Sequence, residues 1–303
     1  MIVRELSPED IRESLTSGRF RLDAGSFRVK VTSDIWGFAS ALQVLYADHP
    51  CNLDGGEFDY DIGVIHPNLL RRYIRHNVVF ELSGERPFLP VATDHAHALF
   101  EWGFNWSIGA HAHQFLILHS AVLETGGKGV LLSATSGSGK STLAAEMALS
   151  GWRLLSDELA LIDTEGRLQP CPRPVSLKND SIEVIRTRHP EVVLGPLARD
   201  THKGTIGHVP APASAVARAS ELAIPRLIVF PKWQAGASLS IEPVAQGRAA
   251  MRLIDQSFNY SNLGPAGFVR LADLVGTAEA WDLEYSSLDE ARDALRDLAA
   301  QYG

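Results

Sequence analysis

The residues whose types and spacing best suit chemistry lie in the segment 129–142, where a short apolar run meets a glycine-rich turn that leads into Lys140. Gly137 and Gly139 tolerate the left-handed backbone angles that aim consecutive N–H groups at phosphate oxygens. Lys140 adds a mobile positive charge, and Ser141 has the hydroxyl that coordinates Mg²⁺ in loops of this kind. We therefore predict a phosphate-binding loop of the Walker A type. Its binding residues are Ser136, Gly137, Ser138, Gly139, Lys140, Ser141 and Thr142.

The elements that must hold this loop are indicated by the residues on either side. Val130 begins an apolar run that is typical of a buried strand, and Leu143 and Met147 recur at helical spacing until Gly151. The helix points its N-terminal dipole at the same phosphates. Ala134 stands where the pattern G-x-x-x-x-G-K-[ST] has its first glycine. The alternative is an ordinary serine- and glycine-rich turn that precedes a lysine.

A second group of polar residues follows the helix closely. Residues 152–156 predict a strand that ends at Asp157 and Glu158, which places two carboxylates at the carboxyl end of a strand, beside Mg²⁺ and the terminal phosphate. The glycine-rich turn 125–128 predicts a hairpin whose register brings His119 toward the same end of the sheet. The alternatives are a solvated strand end for the two carboxylates and a hydrogen-bonded buried histidine for His119.

Three cations are candidates for further contacts, because phosphoryl transfer needs positive charge over the equatorial oxygens. Arg173 lies between two prolines that restrict its backbone, Lys178 follows it closely, and Lys203 belongs to a glycine-containing loop suited to closing on a substrate. An exposed loop arginine is the alternative for Arg173. Asn259 and Tyr260, in a predicted polar loop, either contact the acceptor or serve the fold alone.

Length and composition indicate a globular α/β protein of about two domains. The chain has 303 residues, of which 45% are hydrophobic and 21% are charged. We predict a small N-terminal α+β domain over residues 1–100, in which 27–32 and 58–64 alternate as half-buried strands. A P-loop domain would occupy residues 101–303. The first domain carries no motif that indicates chemistry.

Charge and hydrophobic patterning argue against nucleic acid and membranes as partners. The formal net charge is −8, which gives no electrostatic footprint of a nucleic-acid binder. No apolar run approaches the ~18 residues that would indicate a membrane-spanning helix. We expect a cytoplasmic protein that binds neither nucleic acid nor membrane. One basic cluster is interpreted as a solvated face; it consists of Arg71, Arg72, Arg75 and His76.

Cysteines and histidines form no clear metal-binding pattern. Cys51 and Cys171 are far apart along the chain and suit reduced thiols better than a disulfide framework. Four histidines lie in or beside a predicted helix over 94–112, and residues two apart point in different directions on a helix. Packed or exposed histidines are the favoured interpretation, and a structural metal is the alternative. The four are His95, His97, His111 and His113.

His119, the pair Lys140 and Ser141, and the acidic pair Asp157 and Glu158 follow one another at the spacing of the HPr kinase/phosphorylase family, whose core also resembles phosphoenolpyruvate carboxykinase. More specifically, the chain resembles the subgroup called HprK-related kinase A. The resemblance covers nearly the whole chain and implies a P-loop kinase domain of this type. The segments that carry it are 116–123, 151–158, 172–179, 203–205 and 258–261.

The resemblance implies ATP-dependent phosphorylation of a hydroxyl, usually that of serine, with Mg²⁺ as the metal. By position, Lys140 would hold the β- and γ-phosphates, Ser141 would ligate Mg²⁺, and Asp157 would hold metal-bound water. Glu158 stands where the bifunctional enzymes have an aspartate that takes the acceptor's proton, and His119 would orient that acid. A general base within reach of the acceptor typically contributes ~10²–10⁴-fold to the rate.

Two departures from the family pattern limit what the resemblance implies. Glu158 is one methylene longer than the expected aspartate, and residues 172–178 stand where the Glu-x-Arg-Gly segment for phosphorolysis is expected. These departures argue against phosphorylase activity and against HPr as the substrate. We expect a serine-kinase-like phosphotransferase that acts on a peptide, small protein or small molecule. The alternative is an ATP-binding switch or scaffold with slow ATPase activity that acts through a protein partner, and a homo-oligomer remains open.

Overall fold

The computed structural model describes residues 1–68, 70–71, 74 and 76–301. They form two compact units, a first unit of Met1–Ile108 with Ser176–Ala217 and a second unit of Gly109–Val175 with Arg218–Gly303. Both units combine helices with strands, so the predicted α/β class is confirmed. Arg72 and Arg75 of the predicted basic cluster lie outside the described residues.

The chain leaves the first unit and returns to it. Residues 176–217 group with the N-terminal residues, a grouping that the local sequence patterns did not predict. Local patterns report which element a segment forms, whereas this grouping depends on contacts between segments that are distant along the chain. The division into functional domains over 1–100 and 101–303 stays a prediction.

Helices and strands both occur throughout the part of the chain that the structure describes. The strands are β1 (Arg21–Asp23), β2 (Arg28–Ser33), β3 (Cys51–Asn52), β4 (Tyr60–Ile65), β5 (Asn77–Leu82), β6 (Val91–Ala92), β7 (Leu116–Thr125), β8 (Lys128–Ser133), β9 (Arg153–Ser156), β10 (Leu159–Ile162), β11 (Leu168–Gln169), β12 (Val175–Lys178), β13 (Ala198–Thr201), β14 (Gly204–Val209), β15 (Ile224–Trp233), β16 (Ser240–Pro243) and β17 (Glu279–Tyr285). The helices are α1 (Pro8–Thr16), α2 (Phe38–Leu45), α3 (Ala96–His111), α4 (Lys140–Leu149), α5 (Asp180–Arg188), α6 (Ala213–Ala217), α7 (Gln246–Asp255), α8 (Tyr260–Leu263), α9 (Pro265–Thr277) and α10 (Leu288–Gln301).

The first unit contains a mixed sheet whose described strands follow the order β3-β1-β2-β4-β5-β6. Its central strands follow the predicted alternation, since Val29 and Val31 of β2 are fully buried while Arg28 is exposed. Lys30 lies opposite Asp61 of the parallel strand β4, and their charged groups pair at 2.7 Å. Strands β12, β14 and β13 form a smaller sheet.

The second unit is organised around one large sheet, in the order β11-β10-β7-β8-β15-β17-β16, with β9 also paired to β7. Strands β8, β15 and β17 are parallel, and β7 runs antiparallel to β8. The predicted hairpin between β7 and β8 is confirmed, with Thr125 opposite Lys128. Gly126 and Gly127 both have positive φ, as the favoured two-residue hairpin turn requires.

Helices α7 and α9 contribute to the core on one face of this sheet, where Leu253 and Leu271 join Leu131 of β8 and Ile228 of β15. Helix α7 has Ala249 and Leu253 on its buried side. The prediction of a polar loop over 258–264 is wrong in part, because α8 forms there. Helix α9 was not predicted, although a proline at its start is a recognised signal for a helix N-terminus.

Candidate functional site

The predicted strand, loop and helix are present in the second unit. Strand β8 ends at Ser133, the loop runs over 134–139, and α4 begins at Lys140. Gly137 and Gly139 have φ angles of 88° and 86°, in the left-handed region that favours glycine. The backbone therefore has the local conformation that a phosphate-binding turn needs.

Two neighbouring strands hold the end of the loop. Trp233, the last residue of β15, donates its backbone N–H to the Ser138 carbonyl at 2.9 Å. Tyr285, the last residue of β17, donates its hydroxyl to the Gly139 carbonyl at 3.4 Å. A Cβ atom on Gly139 would lie 2.8 Å from both the Trp233 Cβ and the Tyr285 hydroxyl, so glycine is needed there for space as well as for conformation.

Lys140 has the environment expected of an anion-binding group. Only 6% of its surface is exposed, and its ammonium nitrogen has no hydrogen-bond partner among the residues that the structure describes. A buried charge without a partner is costly, and an anion held by the loop would compensate it. Ser141 and Thr142 follow in the first turn of α4, where backbone N–H groups have no partner within the helix.

Asp157 and Glu158 directly follow β9, as predicted, but the chain does not leave the sheet there. Strand β9 pairs with the second half of β7, and β10 pairs with the first half, with Leu159 opposite His119. Asp157 and Glu158 therefore separate two consecutive strands, β9 and β10, that both pair with β7. Such irregularities redirect side chains at the edge of regular pairing.

Glu158 and His119 form the hydrogen bond that makes this region a candidate catalytic site. The Nε2 atom of His119 lies 3.0 Å from a carboxylate oxygen of Glu158, and their side chains are 29% and 26% exposed. Asp157 beside them is 4% exposed. The backbone N–H of His119 donates to the Gln256 carbonyl at 2.7 Å, which holds this part of β7 in place. The carboxylate of Glu158 is thus oriented and still open to a ligand.

The loop and the carboxylates share one edge of the sheet. Ser133, where the loop begins, pairs with Ser120 of β7, which is the neighbour of His119 in the chain. The acidic pair lies on the far side of β7, and strands are spaced ~4.8 Å apart, so it lies roughly 10 Å across the sheet from the end of β8. The predicted proximity of these two groups of residues agrees with this register.

The three additional cations lie in different surroundings. Arg173 belongs to the second unit and is 5% exposed, so the alternative of an exposed loop arginine is wrong. Its segment contacts β9, because the Cys171 N–H donates to the Leu155 carbonyl at 2.7 Å. Lys178 and Lys203 belong to the first unit, and Lys203 is exposed in the tight turn between β13 and β14 instead of in an open loop.

Asn259 serves the fold. Its side chain is buried, accepts the Ile117 N–H at 3.0 Å and donates to the Phe115 carbonyl at 2.8 Å. These hydrogen bonds satisfy the amide group and hold the start of β7 in place. Of the two interpretations that the sequence left open, contact with the acceptor or a role in the fold alone, they support the second. The side chain is therefore engaged with the backbone and is not presented to an acceptor.

A cavity of about 530 Å³ opens beside the loop, on the side of β15, β17 and β16. Two ion pairs cross its wall, Lys232 with Glu284 at 3.0 Å and Arg252 with Asp282 at 2.7 Å. The guanidinium of Arg252 also lies 3.7 Å above the ring of Phe230. The loop contributes Ala134, Thr135 and Ser138 to the lining.

Sequence reasoning missed Trp233 and Tyr285, which are the last residues of β15 and β17. An aromatic residue at the carboxyl end of a strand parallel to the loop's own strand is the signal that was available. Burial raises the pKa of Tyr285 well above its usual value. The hydroxyl therefore stays protonated and remains a donor to the loop carbonyl.

Together, the left-handed glycine loop, the buried lysine and the carboxylate–imidazole pair define a candidate phosphate-binding site on an α/β sheet. Residues 106–175 are similar to the family described as SynChlorMet cassette protein ScmC. This segment includes the loop, His119, the acidic pair and Arg173. No curated protein matches the chain.

Two features are absent from the residues that the structure describes. No helix in that part of the chain has the length and apolar character needed to cross a membrane. Within the same residues, no three or more His, Cys, Asp and Glu side chains are grouped so as to hold a metal ion. Cys51 and Cys171 form no disulfide.

Proposed function

We propose that the chain is an ATP- and Mg²⁺-dependent kinase of the HPr kinase-like class, with a P-loop kinase domain. It transfers the γ-phosphoryl group to the hydroxyl of a serine, or a similar hydroxyl, of a peptide, small protein or small molecule. The observation that carries the proposal is the 3.0 Å hydrogen bond between His119 and Glu158, at the sheet edge that also bears the loop and the buried Lys140.

The residues of the loop bind the phosphates. The N–H groups at the start of α4 and the ammonium of Lys140 supply positive charge. Among the residues that the structure describes, the ammonium has no hydrogen-bond partner to displace. Of the three additional candidate cations, Arg173 is the one that belongs to the same unit as the loop. The hydrogen bonds from the Trp233 backbone N–H and the Tyr285 hydroxyl keep the loop in its binding conformation before a ligand arrives.

The residues available for Mg²⁺ are Ser141 and Asp157. A hydroxyl and a carboxylate are hard oxygen donors, so their chemistry fits this ion. When bound, Mg²⁺ neutralises charge on the phosphate oxygens.

Glu158 accepts the proton of the acceptor hydroxyl, and His119 holds its carboxylate in one orientation. A hydrogen bond of 3.0 Å is within normal length, and a quarter of the Glu158 side chain is open to the approaching hydroxyl. The longer reach of glutamate argues for an acceptor placed differently from that of the bifunctional relatives. We expect transfer in the forward direction, without pyrophosphate release from phosphorylated product and inorganic phosphate.

The test is incubation of the purified chain with ATP, Mg²⁺ and candidate acceptors encoded in the same gene neighbourhood, followed by intact-mass spectrometry. The expected result is an acceptor that gains the mass of one phosphoryl group, with no gain for the Lys140→Ala variant. Nucleotide-dependent partner binding with slow ATP hydrolysis and no mass gain would support the switch or scaffold instead. Absence of nucleotide binding by the wild-type chain would contradict both functions.

A further inference from the structure

Trp233 is an exposed aromatic residue in direct contact with the loop. Its side chain is 49% exposed, although its backbone N–H bonds to Ser138 at 2.9 Å. Its Cβ atom lies close enough to Gly139 to exclude any side chain at that position. Large apolar side chains exposed beside a binding site commonly serve a ligand.

The indole is fixed before any ligand binds. Its ring N–H donates to the Ser286 carbonyl at 3.1 Å, which leaves the ring little freedom to rotate. The following loop is tied to the same place, because the Gln234 N–H donates to the Tyr285 carbonyl at 2.9 Å and the Ser286 hydroxyl donates to the Ala237 carbonyl at 2.7 Å. A preorganised ring loses little conformational entropy when a ligand stacks on it.

The order of the strands gives the direction in which a nucleotide would extend. The loop follows β8, and the acidic pair lies beyond β7 on one side of it. Trp233 ends β15, the neighbour of β8 on the other side. Strand spacing places the acidic pair roughly 10 Å to one side of the loop and Trp233 roughly 5 Å to the other. A nucleotide whose terminal phosphate faces Glu158 therefore has its base on the side of Trp233.

We propose that the exposed face of Trp233 is the stacking surface for the nucleobase of the bound nucleotide; this inference rests on the proposed function. Every base has a π-face, so stacking of this kind tolerates different bases. We therefore expect ATP and GTP to bind with similar affinity, and both to bind better than a triphosphate without a base. The indole contributes to nucleotide affinity and takes no part in the transfer itself.

The experiment compares two ligands that differ in the base. Isothermal titration of the full chain is carried out with Mg-ATP and with Mg-tripolyphosphate, which keeps the phosphates and lacks the nucleoside. The variants are Trp233→Ala, which removes the ring, and Trp233→Phe, which keeps an aromatic face. Trp36→Ala is the matched control, because Trp36 is 82% exposed and belongs to the first unit.

Trp233→Ala is expected to weaken Mg-ATP binding by roughly 5- to 100-fold and to leave Mg-tripolyphosphate binding unchanged. Trp233→Phe should retain most of the ATP affinity, and Trp36→Ala should behave as the wild type. Equal losses for the two ligands would mean that Trp233 only supports the loop, and unchanged ATP affinity would place the base elsewhere; either result overturns the inference while the proposed function stands. A wild-type chain that binds neither ligand would overturn both.

Discussion

Replacement of Glu158 by Gln is the sharpest test of the chemistry, because it removes basicity and little else. Glutamine has the same length as glutamate and can keep a hydrogen bond to the imidazole of His119, which lies 3.0 Å away. The side chain is 26% exposed and is not part of the apolar core, so we expect stability to change by less than about 1 kcal/mol. The backbone pairing of β9 and β10 with β7 does not depend on the side chain.

The expected loss follows from the role of a general base. Such a group contributes ~10²–10⁴-fold, which corresponds to roughly 3–5 kcal/mol of transition-state stabilisation. Glu158→Asp keeps the carboxylate but draws it back by ~1.5 Å, one carbon–carbon bond. A 3.0 Å bond to His119 would then exceed hydrogen-bond length unless the backbone adjusts, so we expect partial activity.

The assay is single-turnover phosphotransfer to an identified acceptor at saturating Mg-ATP, with nucleotide affinity measured separately by calorimetry. Glu165→Gln is the matched control, since Glu165 is a surface carboxylate with 66% of its side chain exposed, paired with Arg167. We expect Glu165→Gln to transfer as the wild type and Glu158→Gln to bind Mg-ATP normally but transfer slowly. Equal transfer by Glu158→Gln and wild type would remove Glu158 from the mechanism.

Three further predictions address the loop, the fold around it and the first unit. Lys140→Ala should lower both Mg-ATP affinity and turnover in a folded protein, and unchanged calorimetric binding would contradict the phosphate-binding loop. Arg153→Leu removes the closer of the two cations that pair with the 3%-exposed Glu124, the other being Arg218 at 3.4 Å, so urea unfolding should show a loss of roughly 3–5 kcal/mol; a loss below about 1 kcal/mol would refute the role of this buried pair. Burial lowers the pKa of His97 to about 4, so its contribution to stability is complete above its unfolded pKa of about 6.5 and is lost as the pH falls toward 4. Between pH 7 and 4.5, the free energy of unfolding of the wild type should fall by roughly 2–3 kcal/mol more than that of His97→Gln. Equal falls in the two proteins would contradict the lowered pKa of His97.

The parts of the site that follow from consecutive residues were predicted from the sequence. The strand before the loop, the two left-handed glycines and the helix that begins at Lys140 depend on local backbone preferences and apolar spacing. The hairpin between β7 and β8 also depends on a local turn, and its register brings His119 next to the loop's end of the sheet. The assignment of roles to these residues remains a prediction.

Two choices stayed open in the sequence because they depend on contacts between distant segments. The sequence could not show that Asn259 satisfies the backbone of Phe115 and Ile117, since the partners lie more than 140 positions away. Nor could it show that Arg173 is buried. Both side chains are polar and lie in irregular segments, and only the packing of other elements around them determines whether they meet solvent.

The sequence by itself determined that a strand, a glycine-rich turn and a helix follow one another over 129–151, because these elements can be recognised from spacing within a single segment. Tertiary structure alone decided what surrounds it. Strands β9 and β10 both pair with β7, so the acidic pair lies between them and Glu158 forms a hydrogen bond with His119. Parallel pairing of β15 with β8 places the end of β15, and so Trp233, against the loop that follows β8. Local sequence could not show this contact, because the two strands are remote in the chain.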